Sequence, residues 1–370
     1  MRVVVKIGTS SVTGPGGQID VAAVATMAAG VARARRDGHE VIVVSSGAIS
    51  AGLAPLAGVL GLAPGGRPTD LPTLQAVAAV GQHRLMATWD TAFAQHGVVP
   101  GQVLLVPLDF MHRQQYLHAR QTLERLLELG VVPVVNENDA VADDEIRFGD
   151  NDRMAALVAH LLRAELLVLL TDTPGLLTAD PRGAKDASLI EEVLEVDAEL
   201  ERLATGSGSD RGSGGMASKL AAAKIAAWSG VRVVIAAAGR ERVLADAIAG
   251  ANGVGTVVRA HTRRLPARKL WIAFAVGSSG TVVVDDGARL AVVERGRSLL
   301  PAGVVGVKGS FSAGGAVEIA DAAGRVFAKG LVRHPASVVE AWAGRRTGDL
   351  PVDVDHHIVH RDDLVVLPTG

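Results

Sequence analysis

Short runs of β-branched and aliphatic residues alternate with long helical patterns through residues 1–255, and this alternation limits the folds open to the chain. The runs are RVVVKIG (2–8), EVIVVSS (40–46), and the segments 98–106, 131–136, 166–171 and 231–236. Helical patterns occupy 21–36, 74–95, 113–129, 152–163 and 216–228 between them. Several runs are apolar on both faces, as strands are when helices cover a sheet on each side. Gly38, Gly97, Gly130 and Gly230 stand where the helices should stop. The order implies βαβ units, hence an α/β fold with a doubly wound, mainly parallel sheet.

The composition changes near residue 255. GTVVRAHTRRLPARKLW carries six basic residues, counting His261, and no acidic one, which reads as an exposed basic linker over 256–272. Beyond it, TVVVDDG, RLAVVERG, VVGVKGSF and AVEIADAAGRVFAKGLV form short β-like runs separated by turn signals, the pattern of a small barrel or sandwich. The expected organisation is an α/β domain over 1–255, the linker, and a mainly-β domain over 273–370. Residues 53–72 carry enough Pro and Gly to read as a long loop near the substrate. The 370 residues suit two domains. A net charge of −2 supplies no basic field for nucleic acid. The absence of cysteine removes disulfides and thiolate metal sites and suits a reducing compartment. No signal-peptide pattern or uninterrupted apolar span occurs, so a cytoplasmic protein without membrane contact is expected.

Chemistry concentrates in five places. VKIGTSS (5–11) runs a strand into Gly8 with Lys6 before it, and VVSSGAISAG (43–52) ends a strand at Ser46. NENDAVADDEIRFGDND (136–152) packs seven carboxylates and three asparagines between two apolar segments. LLTDTPGLLTADPR (169–182) ends a strand at Thr171 and Asp172; GSGSDRGSGGMASKLAAAK (206–224) opens a helix bearing Lys219. Each has a bland reading as a strand end, a Ser-capped turn, a solvated acidic loop, a connection or a flexible loop. Together they lie beyond the carboxyl ends of parallel strands, where such sheets bind ligands. Two lysines, phosphate-type glycine loops and an acidic cluster form the set that phosphoryl transfer needs: cations on the transferred group, backbone donors on phosphate, and positioning.

VKIGTS, SSGAISAG, NENDAV, GDND, LLTD–GL–TADP and GSGGMASK, in this order, resemble the glutamate 5-kinases of the amino-acid kinase family, and the resemblance covers the whole chain. Many bacterial members carry a C-terminal PUA domain, a small β barrel. The resemblance implies ATP-dependent phosphorylation of the γ-carboxylate of L-glutamate to L-glutamyl 5-phosphate, the first step of proline biosynthesis. Lys6 and Lys219 would stabilise the transferred phosphoryl group, and Asp152 would orient them. Ser46, Asn136, Asp139, Asp150 and Asn151 would bind glutamate. Lys6, Gly8, Thr171, Asp172 and the stretch Ser213, Gly214, Gly215, Met216, Ala217, Ser218 and Lys219 would contact ATP. Mg²⁺ would arrive on the phosphates, with no protein ligand assigned. Proline as feedback inhibitor and a homo-oligomer, dimer or tetramer, are further family expectations.

RGSGGMAS departs from the usual GTGGM, and Pro174 and Leu177 replace residues that are commonly polar and Tyr, which bears on nucleotide contacts. The rivals are sister kinases such as acetylglutamate kinase, aspartokinase or uridylate kinase, and an RNA-binding protein acting through the second domain. The acidic cluster disfavours substrates without an ammonium group, and the β domain disfavours aspartokinase. Arg263, Arg264, Arg268 and Lys269 favour RNA; against it stand 3% aromatics for base stacking and the acidic second domain.

Overall fold

The computed structural model describes the chain apart from residues 15–16, 64–65, 111, 142–150, 180–186, 206–214, 263, 276, 352 and 368–370. It also leaves out the side chains of 198, 205, 267, 274 and 275. The chain divides into two compact units, Met1–Arg264 and Leu265–Gly370.

The first unit runs β1 (Arg2–Ile7), α1 (Thr9–Val12), α2 (Val21–Arg36), β2 (Glu40–Ser45), α3 (Ala48–Leu56), α4 (Leu71–Ala94), β3 (Pro100–Leu105), α5 (Arg113–Glu128) and β4 (Val132–Glu137). It continues with α6 (Asn151–Leu161), β5 (Leu166–Thr171), β6 (Glu192–Val193), α7 (Ala198–Thr205), α8 (Met216–Trp228), β7 (Arg232–Ala237), α9 (Val243–Ala249) and β8 (Thr256–Val258). The sheet order is β3-β4-β2-β1-β5-β7-β8-β6. Strands β1 to β5 and β7 are parallel, and β8 turns antiparallel at β7 with β6 beside it. β1 lies between β2 and β5 and is buried from Val3 to Ile7, because neighbouring strands take its edges and helices take both faces.

Local signals explain the long helices. The Asp20 side chain accepts from the Ala23 N–H at 3.0 Å, and Asp70 does the same for Thr73 at 3.0 Å, satisfying first-turn donors of α2 and α4. Val24, Ala28, Val31 and Ala32 place a buried stripe along α2, which stops before Gly38 at φ +85°.

Tertiary contacts changed three expectations. The region 53–72 is not one long loop: α3 runs to Leu56, and α4 begins at Leu71 behind its Asp70 cap. The helices cross where both are glycine. A Cβ on Gly81 would fall 1.7 Å from the Ala48 carbonyl oxygen, and one on Gly52 would fall 1.9 Å from that of Val77. Gly81→Ala is therefore expected to cost about 3 kcal/mol, because backbone must move rather than a side chain. Denaturant unfolding of the variant reads this, and an unchanged midpoint would mean that α3 can step away. Second, residues 256–258, read as linker, form β8 with Thr256 and Val258 fully buried.

The second unit contains α10 (Ala267–Leu270), β9 (Gly280–Val284), α11 (Asp286–Val293), β10 (Val304–Gly309), β11 (Ala316–Ala320), β12 (Val326–Val332), α12 (Ala336–Trp342) and β13 (Val359–Val366). Its sheet order is β10-β9-β11-β12-β13, antiparallel except for β9 with β11. Val282, Val284, Val317, Ile319, Phe327 and Val359 form its core. Here lies the third change: RLAVVERG, read as β, falls mostly in helix α11. Asp285 caps it by accepting from Ala288 N–H at 2.7 Å, and Val292 is buried while Leu290 and Val293 remain exposed. A capped helix with one inward face satisfies that pattern as well as a strand does.

Candidate active site

Lys6 is the penultimate residue of β1, Asp152 the second residue of α6, and Lys219 lies in the first turn of α8. The parallel sheet brings their ends together at its carboxyl edge. Lys6 Nζ lies 2.7 Å from Asp152 Oδ1, and Lys219 Nζ lies 3.3 Å from Oδ2. The three are 2, 0 and 5% exposed. One carboxylate thus holds two ammonium groups out of water, which is tolerable only because the charges pair. Burial presses the Asp152 carboxyl upward, but the two lysines outweigh it and hold it below the usual carboxylate range. Burial, with Lys6 adding repulsion, lowers the Lys219 ammonium against the pull of Asp152 and Asp172.

Beside this triad sits an amide cluster. Asn151, at the start of α6, donates through Nδ2 to Ser46 Oγ at 3.0 Å and Asn136 Oδ1 at 2.9 Å. Its Oδ1 accepts from the Glu137 N–H at 3.2 Å. The Ser46 N–H donates to the Ile7 carbonyl at 3.1 Å, so that backbone donor is spent on the fold. Gly47 stands at φ +109°, a left-handed conformation that turns the chain from β2 into α3. Ser45 receives the indole N–H of Trp89 at 3.0 Å, which ties β2 to α4.

Asn138 and Asp139 follow β4 and line a cavity of about 350 Å³ with Glu137, Gln82, His83, Gln102 and alanines of α3 and α4. Burial pushes the Asp139 carboxyl up to about 6, with Arg67 pulling the other way. Glu137, Gln82 and Gln102 were not singled out in the sequence. Glu137 sits inside a motif dominated by other carboxylates, and the two glutamines sit in ordinary helical and strand patterns.

On the other side of the triad, Thr171 ends β5 and donates through Oγ1 to Asp172 at 3.1 Å. A Cβ on Gly8 would lie 3.5 Å from Lys6 Nζ, so this turn borders the ammonium group. Gly215 caps α8, placing Met216, Ala217 and Ser218 in its first turn ahead of Lys219. The turn's backbone N–H groups lie at the positive end of a helix dipole, a setting suited to phosphate. Asp150, Ser213 and Gly214 lie outside the described residues. The structure thus gathers Lys6, Asp152 and Lys219 in one contact set and Ser46, Asn136 and Asn151 in another, with Asp139 in the cavity. Among the described residues no cluster of three or more His, Asp, Glu or Cys could hold a metal ion. No described helix is long and apolar enough to cross a membrane.

Residues 1–237 match the amino acid kinase family, and residues 280–351 match the PUA domain. The chain is 48% identical over 363 residues to glutamate 5-kinase of Nocardia farcinica, covering 98% of this chain and 96% of that one. It is 44% identical to glutamate 5-kinase of Paraburkholderia phytofirmans, covering 99% and 98%. The carbamate kinase of Giardia lamblia, solved with AMP-PNP, aligns at a TM-score of 0.51 and 15% identity, covering 70% of this chain and 98% of that one. Aspartate kinase from Synechocystis aligns at 0.50 and 20% identity, covering 77% and 44%. These two likenesses show the fold.

Proposed function

We infer that this chain, which belongs to the amino acid kinase family and carries a PUA domain, transfers the γ-phosphoryl group of ATP to the γ-carboxylate of L-glutamate. The product is L-glutamyl 5-phosphate, which opens proline biosynthesis. Full-length similarity to glutamate 5-kinases supports the substrate, and the observation that carries the chemistry is the buried Lys6–Asp152–Lys219 set.

A carboxylate is already a nucleophile at neutral pH, so no residue need act as base. The difficulty is that two anions must approach within bonding distance. Lys6 and Lys219 offset that repulsion and follow the charge as it moves from the γ-phosphate toward the leaving ADP. Asp152 keeps both ammonium groups charged in a buried place and aims them. Gly8, Thr171, Asp172 and the loop Ser213–Ser218 hold ATP, the last through the N-terminal amides of α8. Ser46, Asn136, Asp150 and Asn151 hold the acceptor. Asp139 receives the substrate ammonium, which accounts for a carboxylate retained where burial disfavours it. Mg²⁺ bound on the nucleotide would neutralise phosphate charge. The family resemblance supports a homo-oligomer and proline as feedback inhibitor, and the composition without cysteine or signal-peptide pattern supports a cytoplasmic location.

Asp139 makes the reading pH-sensitive. Its raised pKa means that the folded protein protonates it first, and only the carboxylate pairs with an ammonium. kcat/KM for L-glutamate should therefore fall about tenfold per pH unit below 6 and level off above it. Asp139→Ala should raise the glutamate KM and erase that inflection, with the ATP KM unchanged; an intact inflection would assign the titration elsewhere. The reaction itself is tested by ATP- and Mg²⁺-dependent hydroxamate formation with hydroxylamine, which traps an acyl phosphate. Signal with L-glutamate, and none with N-acetyl-L-glutamate or L-aspartate, is expected. Signal with the acetylated compound instead would overturn the ammonium role of Asp139.

A further inference from the structure

We propose that Gln82 is a positioning residue: it fixes the amide of Gln102 so that an N–H, not a carbonyl, faces the cavity and takes the non-reacting carboxylate of the substrate. This rests on the substrate reading above and adds residues from α4 and β3 to it.

The argument is one of hydrogen-bond polarity. A side-chain amide has a donating end and an accepting end, and its orientation follows from what it meets. The Glu137 backbone N–H can only donate, and it donates to Asn151 Oδ1 at 3.2 Å and to Asn136 Oδ1 at 2.9 Å. The Ser45 carbonyl can only accept, and it faces Asn151 Nδ2 at 3.4 Å. Both asparagines are therefore oriented by backbone groups that cannot turn round. Asn136 is left with its Nδ2 toward α4, so the Gln82 atom 2.7 Å away is the acceptor Oε1. Gln82 then presents Nε2 to Gln102 Oε1 at 3.2 Å. With its oxygen occupied, Gln102 has its NH₂ group left to donate.

Gln82 and Gln102 line the same cavity as Asp139. Besides Glu137, the cavity thus offers the Asp139 carboxylate and an amide donor, the complement of an ammonium and a carboxylate on one carbon. The polarity originates at Glu137 and Asn151, next to Asp152, so orientation of the α-amino-acid end is tied to the backbone that carries the phosphoryl-handling residues. A cluster of unconstrained amides would accept either polarity; this one has a direction.

The test uses Gln82→Glu in the full-length protein. Glutamate at 82 still accepts from Asn136 but cannot donate to Gln102, whose amide then turns its N–H toward residue 82 and its oxygen into the cavity. L-glutamate is compared with its α-carboxamide, L-isoglutamine, which keeps the γ-carboxylate, by calorimetric binding and by hydroxamate formation. Wild type should prefer L-glutamate by on the order of tenfold or more, and Q82E should bring the two within about threefold, mainly through KM. A purely structural role for Gln82 would weaken both compounds alike and leave their ratio unchanged, which would overturn the proposal. If Q82E does not fold, Gln102→Glu at its exposed site on β3 gives the same reading: loss of the preference supports the proposal, and retention overturns it. Wild-type protein binding neither compound overturns it too, whereas binding without hydroxamate sinks the assigned reaction alone.

Discussion

Lys219→Ala should lower kcat about a thousandfold while leaving the melting temperature close to that of the parent. The ammonium group lies on one arm of Asp152 at 3.3 Å, and the other arm keeps its 2.7 Å contact with Lys6. Truncation therefore leaves no buried carboxylate without a partner. It also removes an ammonium whose burial was itself unfavourable, as its lowered pKa records. What disappears is a cation at the site where phosphoryl charge develops, so the loss belongs to turnover rather than to binding. Steady-state kinetics with ATP and L-glutamate, alongside thermal melts, separate the two. A folded variant with parental kcat would make the Asp152–Lys219 contact structural and shift the chemistry to Lys6 alone.

Asp152→Asn should be damaging in a different way. With the carboxylate gone, two ammonium groups share a buried site without a counter-charge, and the expected loss is about 3–5 kcal/mol of stability together with most activity. The sign of its pH dependence follows. Without Asp152 less opposes the burial that already lowers the Lys219 ammonium, so its folded pKa lies further below the unfolded value of ~10.4 and the unfolded chain binds more protons in that interval. The penalty is then fully present below the depressed folded pKa and shrinks as pH rises from there toward 10.4. Denaturant unfolding at neutral and alkaline pH measures this. A stability deficit that does not shrink on raising the pH would mean that the lost contacts, and not the uncompensated charge, account for the damage.

The alternation of apolar runs and helical periods was enough to place β5 over Leu166–Thr171, α2 over Val21–Arg36 and α8 over Met216–Trp228. These elements are buried by their own local pattern, and caps and glycines end them. Lys6, Asp152 and Lys219 likewise stood out as candidates, because each lies where a strand or helix end meets a short motif. Their mutual contact was implied by the family resemblance and not by any local pattern, since 67 residues separate Asp152 from Lys219 and only the sheet order closes that distance.

Where a segment had two locally satisfactory solutions, its neighbours chose between them. RLAVVERG fits a strand or a helix until the Asp285 cap and the burial of Val292 select the helix. Residues 53–72 read as a long loop, but α3 reaches Leu56 and α4 starts at Leu71, and Gly52 and Gly81 let the two helices touch backbone to backbone. The orientation of the amides is the clearest case. Asn136, Asn151, Gln82 and Gln102 each have two equivalent ways to sit. The Glu137 N–H and the Ser45 carbonyl remove the choice only after β2, β3, β4, α4 and α6 have assembled around them. Sequence by itself determined the kinds of most elements and pointed to the candidate residues at their ends, because periodicity and capping are local. Tertiary structure alone decided polarity and proximity, because a hydrogen bond has a direction only once both of its partners are in place.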